Sequence, residues 1–310
     1  MNGRIQRWQL LGRCLLTLIV GGACWRAGSP LWGLVFAAAA VLWFHGLVMG
    51  GLFALLLRVN RGDAAPSPWQ LLRAWGGELW AVEKVFSWQQ PFAAHRFADF
   101  LPQRITKDDG KRGVLFLHGY TCNRGLWNGW MQRLRALGHP HIALTLEPAY
   151  GSIDAYAEAI ELAVQRLTQC TGQMPLIVAH SMGGLAARAW AATHGGWGRV
   201  QRIITLGTPH HGTLMARFAP TSNARQMQPQ GEWLQRLRAV EPSQMGALFD
   251  CFYSACDHIV SPAMTAVLPG ARAIPLSAVG HVAMVFHPAV FAEVTRQLAL
   301  PQALSTPRRI

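Results

Sequence analysis

The chain has 310 residues, of which 51% are hydrophobic and 14% charged, and its formal net charge is +13. This length suits one large domain or two small ones, and the composition is too apolar for an ordinary soluble enzyme, so membrane segments are expected. The basic residues are mostly scattered arginines without a lysine-rich or aromatic-interleaved tract. That pattern argues against a nucleic-acid partner and favours an anionic membrane surface.

Two hydrophobic segments open the chain. The first covers residues 8–25 and contains Arg13 near one end, and the second covers residues 31–57 without a charged side chain. Because about 20 apolar residues cross a bilayer, the pair predicts a two-helix transmembrane hairpin within an anchor of residues 1–60. A signal peptide is the alternative for the first segment, but no good small-x-small cleavage site precedes the second.

The distribution of arginines predicts which side of the membrane the rest of the chain occupies. Three arginines lie before or just inside the first segment, three follow the second, and Arg26 alone lies between the segments. Since cytoplasmic flanks carry the excess of basic residues, we expect a multi-pass inner-membrane protein whose larger domain faces the cytoplasm. Six cysteines without paired spacing agree with free thiols in a reducing compartment.

Residues 61–112 are expected to hold a linker, a tryptophan-rich amphipathic helix and the first strands. The turn-forming stretch NRGDAAPSP, residues 60–68, precedes a helix that Ser67 caps. An apolar stripe follows at alternating spacings of three and four residues: Leu72, Trp75, Leu79, Val82 and Phe86, widened by Trp69, Trp80 and Trp88. Packing on the next domain and insertion among lipid headgroups both explain such a stripe.

From residue 113 to residue 310, strand-like and helical segments alternate. Buried strands such as GVLFLH, PLIVAH and VQRIITLGTP are separated by helical segments. This alternation predicts an α/β domain with a mostly parallel central sheet and helices on both faces. Residues 210–247 interrupt the alternation and include a short amphipathic segment, GEWLQRLRAV, so we expect a cap or lid there.

The segment IVAHSMGGLAAR, residues 177–188, joins a strand to a helix through Ser181. A sharp turn at this point exposes the hydroxyl if the residues two before and two after are small, as Ala179 and Gly183 are. The first amides of the following helix then point at the reacting atom. A simple capping serine is the alternative, but the position between strand and helix indicates a nucleophile elbow.

The segment FLHGYTCN, residues 116–123, ends the first strand with His118 and Gly119. The glycine permits a sharp turn, after which the amide of Tyr120 would face the nucleophile together with the amide of Met182. Two such donors form an oxyanion hole, and losing one costs about 3 kcal/mol of transition-state stabilisation. An ordinary loop glycine is the alternative.

An acid and then a histidine are expected to follow the nucleophile along the chain. Asp257, in SACDHIVSP, comes just after a strand, whereas Asp250 lies inside that strand and is the second candidate. His281, in AVGHVAMVFHP, follows the last strand, and His287 lies at the start of the next helix. The pattern predicts a catalytic triad of Ser181, Asp257 and His281.

Residues 113 to about 298 resemble the α/β-hydrolase superfamily, and within it the bacterial lipases and related membrane-associated lipid deacylases. FLHGY, AHSMGG, ITLGTPHHGT, DHIVSP and the GH pair at 280–281 carry the resemblance. It implies an acyl-enzyme on Ser181 and no metal or organic cofactor. It also implies residues that support the elbow and the pocket without reacting: His118, Gly119, His180, Gly183, His210 and His211.

These patterns predict a membrane-anchored serine hydrolase that cleaves carboxylic esters, with a lipid or acyl ester as its substrate. An acyltransferase or thioesterase with the same triad is an alternative, because the outcome depends on the access of water to the acyl-enzyme. A non-catalytic membrane scaffold with a retained hydrolase fold is a further alternative, and the complete triad argues against it.

Overall fold

The computed structural model describes residues 2–28, 30–60, 65–102 and 111–301. Its helices are α1 (Asn2–Arg26), α2 (Pro30–Val59), α3 (Pro68–Val82), α4 (Gln90–Phe92), α5 (Asn128–Ala136), α6 (Ala157–Thr171), α7 (Met182–His194), α8 (Ser222–Gln226), α9 (Glu232–Val240) and α10 (Pro288–Ala299). Its strands are β1 (Val114–Leu117), β2 (His141–Ala143), β3 (Leu176–His180), β4 (Arg202–Leu206), β5 (Phe249–Tyr253) and β6 (Arg272–Pro275). A π-helical segment, Glu83–Gln89, joins α3 to α4.

The six strands form one sheet in the order β2-β1-β3-β4-β5-β6, and each neighbouring pair is parallel. This confirms the predicted parallel sheet. At its carboxyl edge Leu117 pairs with Ala179, and His180 pairs with Leu206, so the loops after β1, β3 and β4 emerge side by side. The strand order reverses between β1 and β3, and ligands of open α/β sheets bind at such a switch point.

Helices cover both faces of the sheet because its strands are apolar on both sides. On one face Leu115 and Ile177 pack with apolar residues of α6, α7 and α9. On the other face Phe116 and Val178 pack with residues of α5 and α10, and Ala81 of α3 belongs to the same cluster. Helix α3 is therefore built into the core of the domain.

The buried stripe of α3 differs from the predicted stripe. Ser67 caps the helix as expected, since its side chain accepts a hydrogen bond from the amide of Gln70. The buried positions are offset by one residue from the predicted ones: Leu71, Ala74, Glu78, Ala81 and Val85. Four predicted stripe residues are more than half exposed: Trp69, Leu72, Trp80 and Trp88. Packing on the domain therefore accounts for the buried face of α3, whereas Trp69 and Trp80 on the helix remain exposed.

Regular strands are fewer and shorter than predicted near the edges of the sheet. The predicted strands HIALTLE and ARAIPLSAV contract to β2 and β6, which have three and four residues. In the described part of 61–112, extended pairing is limited to an antiparallel bridge between Phe100 and His141. Residues 61–64 of the predicted linker and residues 103–110 lie outside the described residues.

Helices α1 and α2 pack against each other, but the structure does not establish the predicted transmembrane hairpin. A Cβ on Gly33 would lie 2.3 Å from the Cβ of Cys24, so the two helices approach closely near the turn. Among the described residues, α1 alone is long and apolar enough to cross a membrane by length and composition, and the apolar stretch Gly46–Leu56 of α2 is shorter. The carboxyl-terminal part of α2 instead packs on the domain, where Phe53 is buried.

Both ends of the helix pair are held against the α/β domain. At the start of α1, the side-chain amide of Asn2 donates to the carbonyl of Cys122 at 2.7 Å. At the end of α2, the side-chain amide of Asn60 donates to the carbonyl of Ala255 at 2.9 Å. The chain therefore leaves the domain and returns to it through these two helices.

Candidate active site

Ser181 occupies a strained turn between β3 and α7. Its φ of 53° and ψ of −126° are unusual for a residue with a side chain. The surrounding backbone holds this conformation, because the amide of Ser181 donates to the carbonyl of Leu206 at 2.9 Å and the hydroxyl of Thr208 donates to the carbonyl of Ser181 at 2.8 Å. A strained strand-to-helix turn of this kind is the backbone conformation that the predicted nucleophile elbow requires.

Two small residues allow the loop after β1 to lie against this turn. A Cβ on Gly183 would lie 2.6 Å from the carbonyl oxygen of Leu117, and a Cβ on Gly119 would lie 2.9 Å from the Cβ of Ser181. Neither position has room for a side chain. The peptide between Gly119 and Tyr120 is thereby brought close to the Ser181 turn.

Asp257 and His281 form a buried pair at the carboxyl edge of the sheet. Nδ1 of His281 is 2.8 Å from Oδ2 of Asp257, and both side chains are buried. The other carboxylate oxygen accepts hydrogen bonds from the amides of Ile259 and Val260, at 2.9 and 2.8 Å. The turn after β5 therefore fixes the carboxylate, and the carboxylate fixes the orientation of the imidazole.

Electrostatics reinforces this pair. Burial is the largest influence on both groups, and alone it would raise the pKa of Asp257 and lower the pKa of His281. The charge of each partner and their shared hydrogen bond outweigh burial, so the pKa of Asp257 is lowered and the pKa of His281 is raised. The carboxylate thus stays ionised and accepts the Nδ1 proton, which leaves Nε2 of His281 free to accept another proton.

His180 connects the pair to the elbow. Its Nε2 is 3.2 Å from the carbonyl oxygen of His281, and the two ring centroids are 4.7 Å apart. Burial, followed by the charge of His281, lowers the pKa of His180 to about 3. The ring is therefore neutral and donates to that carbonyl. Because His180 directly precedes Ser181, this hydrogen bond holds the His281 loop beside the serine.

Asp250, the second candidate acid, lies elsewhere. It is at the start of β5, with its carboxylate oxygens 3.7 Å from Nη1 of Arg202 and 3.6 Å from Nη1 of Arg272. Asp257 lies beyond the end of the same strand and faces His281. Of the two candidate acids, the structure brings Asp257, and not Asp250, to His281. His287 caps α10 by accepting from the amide of Ala289, in line with its predicted place at a helix start.

His118 holds the first loop in place. Its Nε2 accepts from the amide of Leu146 at 2.9 Å, and its Nδ1 is 2.8 Å from the carbonyl oxygen of Gly119. Burial lowers the pKa of His118 to about 4, so the ring is neutral. A neutral ring that accepts at one nitrogen and donates at the other suits a supporting role for His118.

The two residues predicted to supply oxyanion donors come from different elements: Tyr120 from the loop after β1, and Met182 from the start of α7. Met182 is the first residue of α7 and is buried. Tyr120 is partly exposed, and its hydroxyl is 3.1 Å from Oγ1 of Thr221 in the cap segment. Tyr120 therefore also links the loop after β1 to the cap.

His210 and His211 make contacts away from the Asp257–His281 pair. Nε2 of His210 is 3.2 Å from Oγ1 of Thr205, and burial lowers the pKa of His210 well below its usual value. Nε2 of His211 is 3.0 Å from the carbonyl oxygen of Val267. These contacts suit the supporting roles that the sequence resemblance implies.

The predicted cap, residues 210–247, is largely folded onto the domain. Leu234 of α9 is fully buried in the core cluster on the α6–α7 face of the sheet. The indole nitrogen of Trp233 donates to Oδ2 of Asp154 at 2.9 Å. Phe218, in contrast, is 81% exposed. The cap thus has a fixed part, which includes α9, and an exposed apolar part nearer to β4.

One carboxylate beside this site was missed by the sequence reasoning. Glu78 of α3 is fully buried and accepts hydrogen bonds from the amides of Val282 and Ala283, both at 2.9 Å. These residues directly follow His281. The available sequence signal was a single acidic residue among the apolar positions of α3, which is easily mistaken for part of an exposed polar face.

Comparisons with known proteins agree with this architecture. Residues 154–238 match the family described as the PGAP1-like alpha/beta domain. The mature lipase BlEst2 of Bacillus licheniformis is 18% identical to this chain and superimposes with a TM-score of 0.55, covering 66% of this chain and 98% of the lipase chain. No curated protein matches the chain significantly.

Lipase B of Aspergillus fumigatus is 19% identical and superimposes with a TM-score of 0.56, covering 68% of this chain and 59% of that chain. The match therefore spans little more than half of the length of that lipase. Together with the parallel sheet, these similarities show that the α/β domain has the α/β-hydrolase fold, which confirms that part of the predicted fold. The matched family segment includes β3, the Ser181 turn, β4 and most of α9.

Proposed function

We propose that the protein is a serine hydrolase of carboxylic esters, with Ser181 as nucleophile, His281 as general base and Asp257 as the acid that orients the imidazole. The observation that carries the proposal is the buried Asp257–His281 pair, which His180 connects to the strained turn at Ser181. A serine hydroxyl is a weak nucleophile, and an imidazole oriented by a carboxylate is the standard means of activating it.

The proposed reaction begins when Nε2 of His281 takes the hydroxyl proton of Ser181 as its oxygen attacks the ester carbonyl carbon. The amides of Tyr120 and Met182 stabilise the resulting oxyanion. His281 then donates its proton to the leaving alcohol, and the acyl group stays on Ser181. Water, deprotonated by His281, attacks the acyl-enzyme, and His281 returns that proton to Oγ of Ser181 as the carboxylic acid is released. The charge of Asp257 stabilises the imidazolium in both steps.

We propose an acyl ester of a membrane lipid as the substrate class, because the site is joined to an apolar anchor. The large hydrophobic side chains of α1 are mostly more than half exposed: Trp8, Leu11, Leu15, Leu16, Leu18, Ile19 and Trp25. Helix α1 has the length and composition of a membrane-crossing helix, and its part from Asn2 to Arg13 also contacts the α/β domain. Exposed apolar surface of this extent favours a lipid environment.

The anchor is proposed to be a hairpin whose two ends lie on the same side of the membrane. The contacts of Asn2 and Asn60 with the α/β domain support this arrangement, since the chain leaves the domain in α1 and returns to it in α2. The excess of arginine at both ends then favours the cytoplasmic face of an inner membrane.

The nucleophile is tested by labelling the full-length protein in detergent with a fluorophosphonate, which reacts with activated serines. We expect the wild type to be labelled and Ser181→Ala to be unlabelled, with both proteins folded. Ser277→Ala, at an exposed serine after β6, serves as the matched control and should be labelled like the wild type. An unlabelled wild type would overturn the serine-hydrolase proposal, and a labelled Ser181→Ala would move the nucleophile elsewhere.

The substrate class is tested by mixing purified wild type and Ser181→Ala with detergent-dispersed membrane lipids and measuring released fatty acids by mass spectrometry. We expect release by the wild type alone. Hydrolysis of short soluble esters together with no release from any lipid would contradict the proposed substrate class while leaving the nucleophile in place.

A further inference from the structure

We propose that Glu78 of α3 is a positioning residue for His281, so that a helix preceding the first strand of the hydrolase fold supplies part of the active site. This inference rests on the proposed function, in which His281 is the general base. It concerns a residue outside the triad and outside the segment, residues 113 to about 298, that carries the sequence resemblance.

The contact between Glu78 and the His281 loop is bidentate. Oε1 accepts from the amide of Val282 and Oε2 accepts from the amide of Ala283, each at 2.9 Å. A carboxylate bound to two successive backbone amides makes charge-assisted hydrogen bonds and fixes the path of the chain that it binds. In this protein, that chain directly follows the catalytic imidazole.

The residue before His281 is Gly280, which has no side chain and so leaves room for Glu78. A Cβ on Gly280 would lie 2.5 Å from Oε2 of Glu78 and 2.8 Å from its Cβ. Glu78 therefore contacts the chain on both sides of His281, at Gly280 and at Val282. A displacement of the Glu78 side chain would be transmitted to the imidazole through these two neighbours.

A buried carboxylate is costly, and an apolar residue at this position of α3 would continue the buried stripe without that cost. Burial raises the pKa of Glu78 to about 7, although the amides of Val282 and Ala283 and the charge of His281 lower it and the charge of Asp257 raises it. At neutral pH a substantial fraction of Glu78 is therefore ionised, next to the imidazole.

Three ionisable groups face His281, each from a different element. Asp257 comes from the loop after β5, Glu78 from α3 and His180 from the end of β3. The charges of Asp257 and Glu78 both raise the pKa of His281, whereas His180 is neutral. The charge of Glu78 therefore adds to that of Asp257 in stabilising the imidazolium that forms during the reaction.

Helix α3 also contacts the membrane anchor. The indole nitrogen of Trp75 donates to the carbonyl of Gly46 in α2 at 3.0 Å. One face of α3 thus contacts the anchor and another face holds the His281 loop. The position of the general base depends on a helix that the anchor itself helps to place.

The experiment measures the second-order rate constant of fluorophosphonate labelling against pH for full-length wild type, Glu78→Gln, Glu78→Asp and Glu83→Gln. Glu83→Gln is the matched control, because Glu83 follows α3 directly and pairs with Arg13 of α1 at 2.9 Å. We expect Glu83→Gln to reproduce the wild-type profile. Melting temperatures of all four proteins are recorded alongside.

Glu78→Gln removes the charge and replaces one acceptor by an N–H donor that faces a backbone amide. We expect its plateau rate to fall roughly tenfold because the imidazole is misplaced. We also expect the acid limb of its profile to move to lower pH by about half a unit to one unit, since a negative charge near His281 is lost. Glu78→Asp keeps the charge on a shorter side chain, so its plateau should fall while its acid limb stays near that of the wild type.

A Glu78→Gln acid limb that coincides with the wild-type limb, or a plateau rate equal to that of the wild type, would overturn the positioning role. If Glu78→Gln does not fold, Glu78→Asp decides the question: a lowered plateau with an unmoved acid limb supports the proposal, and an unchanged plateau overturns it. Failure of the proposed function gives a different result, namely no labelling of the wild type at any pH.

Discussion

Arg188 of α7 and Glu241, at the end of α9, form a bidentate ion pair in which both side chains are buried. Nε and Nη2 of the guanidinium donate to the two carboxylate oxygens, each at 2.7 Å. Nη1 of the same guanidinium donates to the carbonyl of His210 at 2.9 Å. One arginine on the helix that begins after Ser181 therefore holds the first residue of the cap segment and a residue near its end.

Glu241→Gln is expected to lower the free energy of unfolding by about 3 kcal/mol, because it leaves the buried Arg188 charge without a full partner. The measurement is chemical denaturation in detergent. Glu232→Gln is the control, since Glu232 pairs with Arg236 at the exposed surface of α9 and such pairs contribute little to stability. Equal stability losses in the two variants would show that the buried pair does not hold the cap.

Asp257→Asn is expected to reduce turnover of p-nitrophenyl esters by about 10⁴-fold, because an amide facing Nδ1 favours the wrong imidazole tautomer. Asp250→Asn is expected to leave turnover within a few-fold of the wild type, since Asp250 faces Arg202 and Arg272. The comparison uses kcat at one pH for both variants. The opposite ranking would transfer the role of the acid to Asp250.

Gly207→Ala is expected to reduce labelling by the fluorophosphonate at least about 100-fold. A Cβ there would lie 2.8 Å from Oδ2 of Asp257 and 3.1 Å from Nδ1 of His281, and would separate the pair. Gly195→Ala is the control, because Gly195 has a similarly positive φ but open space around its Cβ position. Gly195→Ala introduces the same kind of backbone strain without a steric clash. An equal loss of labelling in Gly195→Ala would therefore refute the steric explanation.

The stability of the protein is expected to depend on pH through Glu78. The pKa of an unperturbed glutamate carboxyl is 4.5, and burial raises the pKa of Glu78 in the folded protein to about 7. Between pH 4.5 and pH 7 the folded state therefore holds a proton that the unfolded state has largely lost. Stability is therefore lost as pH rises from 4.5 to 7, by up to about 3 kcal/mol from this group. Denaturation of wild type and Glu78→Gln at pH 5 and pH 8 measures the effect. The stability of the wild type relative to the variant should be greater at pH 5, and a pH-independent difference would contradict the expectation.

A reporter fused to the carboxyl terminus is expected to lie in the cytoplasm of a bacterial host. Fluorescent GFP and inactive alkaline phosphatase are the expected results, because both ends of the proposed hairpin contact one domain and both carry an excess of arginine. A fusion to residues 1–28 provides the control for the turn between the helices, where the phosphatase should be active. An active phosphatase at the carboxyl terminus would reverse the proposed topology.

Much of the hydrolase fold and several candidate residues were predictable because their signals are local. The turn at Ser181 needs small neighbours at fixed offsets, and Ala179 and Gly183 provide them within five residues of chain. Asp257 and His281 were predictable because each follows a strand of a parallel sheet, and the carboxyl ends of such strands lie at one edge. The catalytic roles of these residues remain predictions for the experiments above.

The contact of Glu78 with the His281 loop was not predictable from local pattern. The spacing of apolar residues in α3 fits two stripes that differ by one position, and the predicted stripe does not include Glu78. The packing of α3 on α2 and on the His281 loop selects the other stripe, which buries Glu78. Periodicity alone does not specify which neighbour a helix will meet.

The sequence by itself determined the alternation of strands and helices, the apolar amino-terminal segments and the strained serine turn, since each depends on residues close together in the chain. Only the tertiary structure decided the partners of buried charges. Glu78 and Val282 are 204 positions apart, and Arg188 and Glu241 are 53 apart. A buried charge is stable only where the fold supplies amides or an opposite charge. Which distant residues supply them depends on how the layers pack, and that information is distributed over the whole chain.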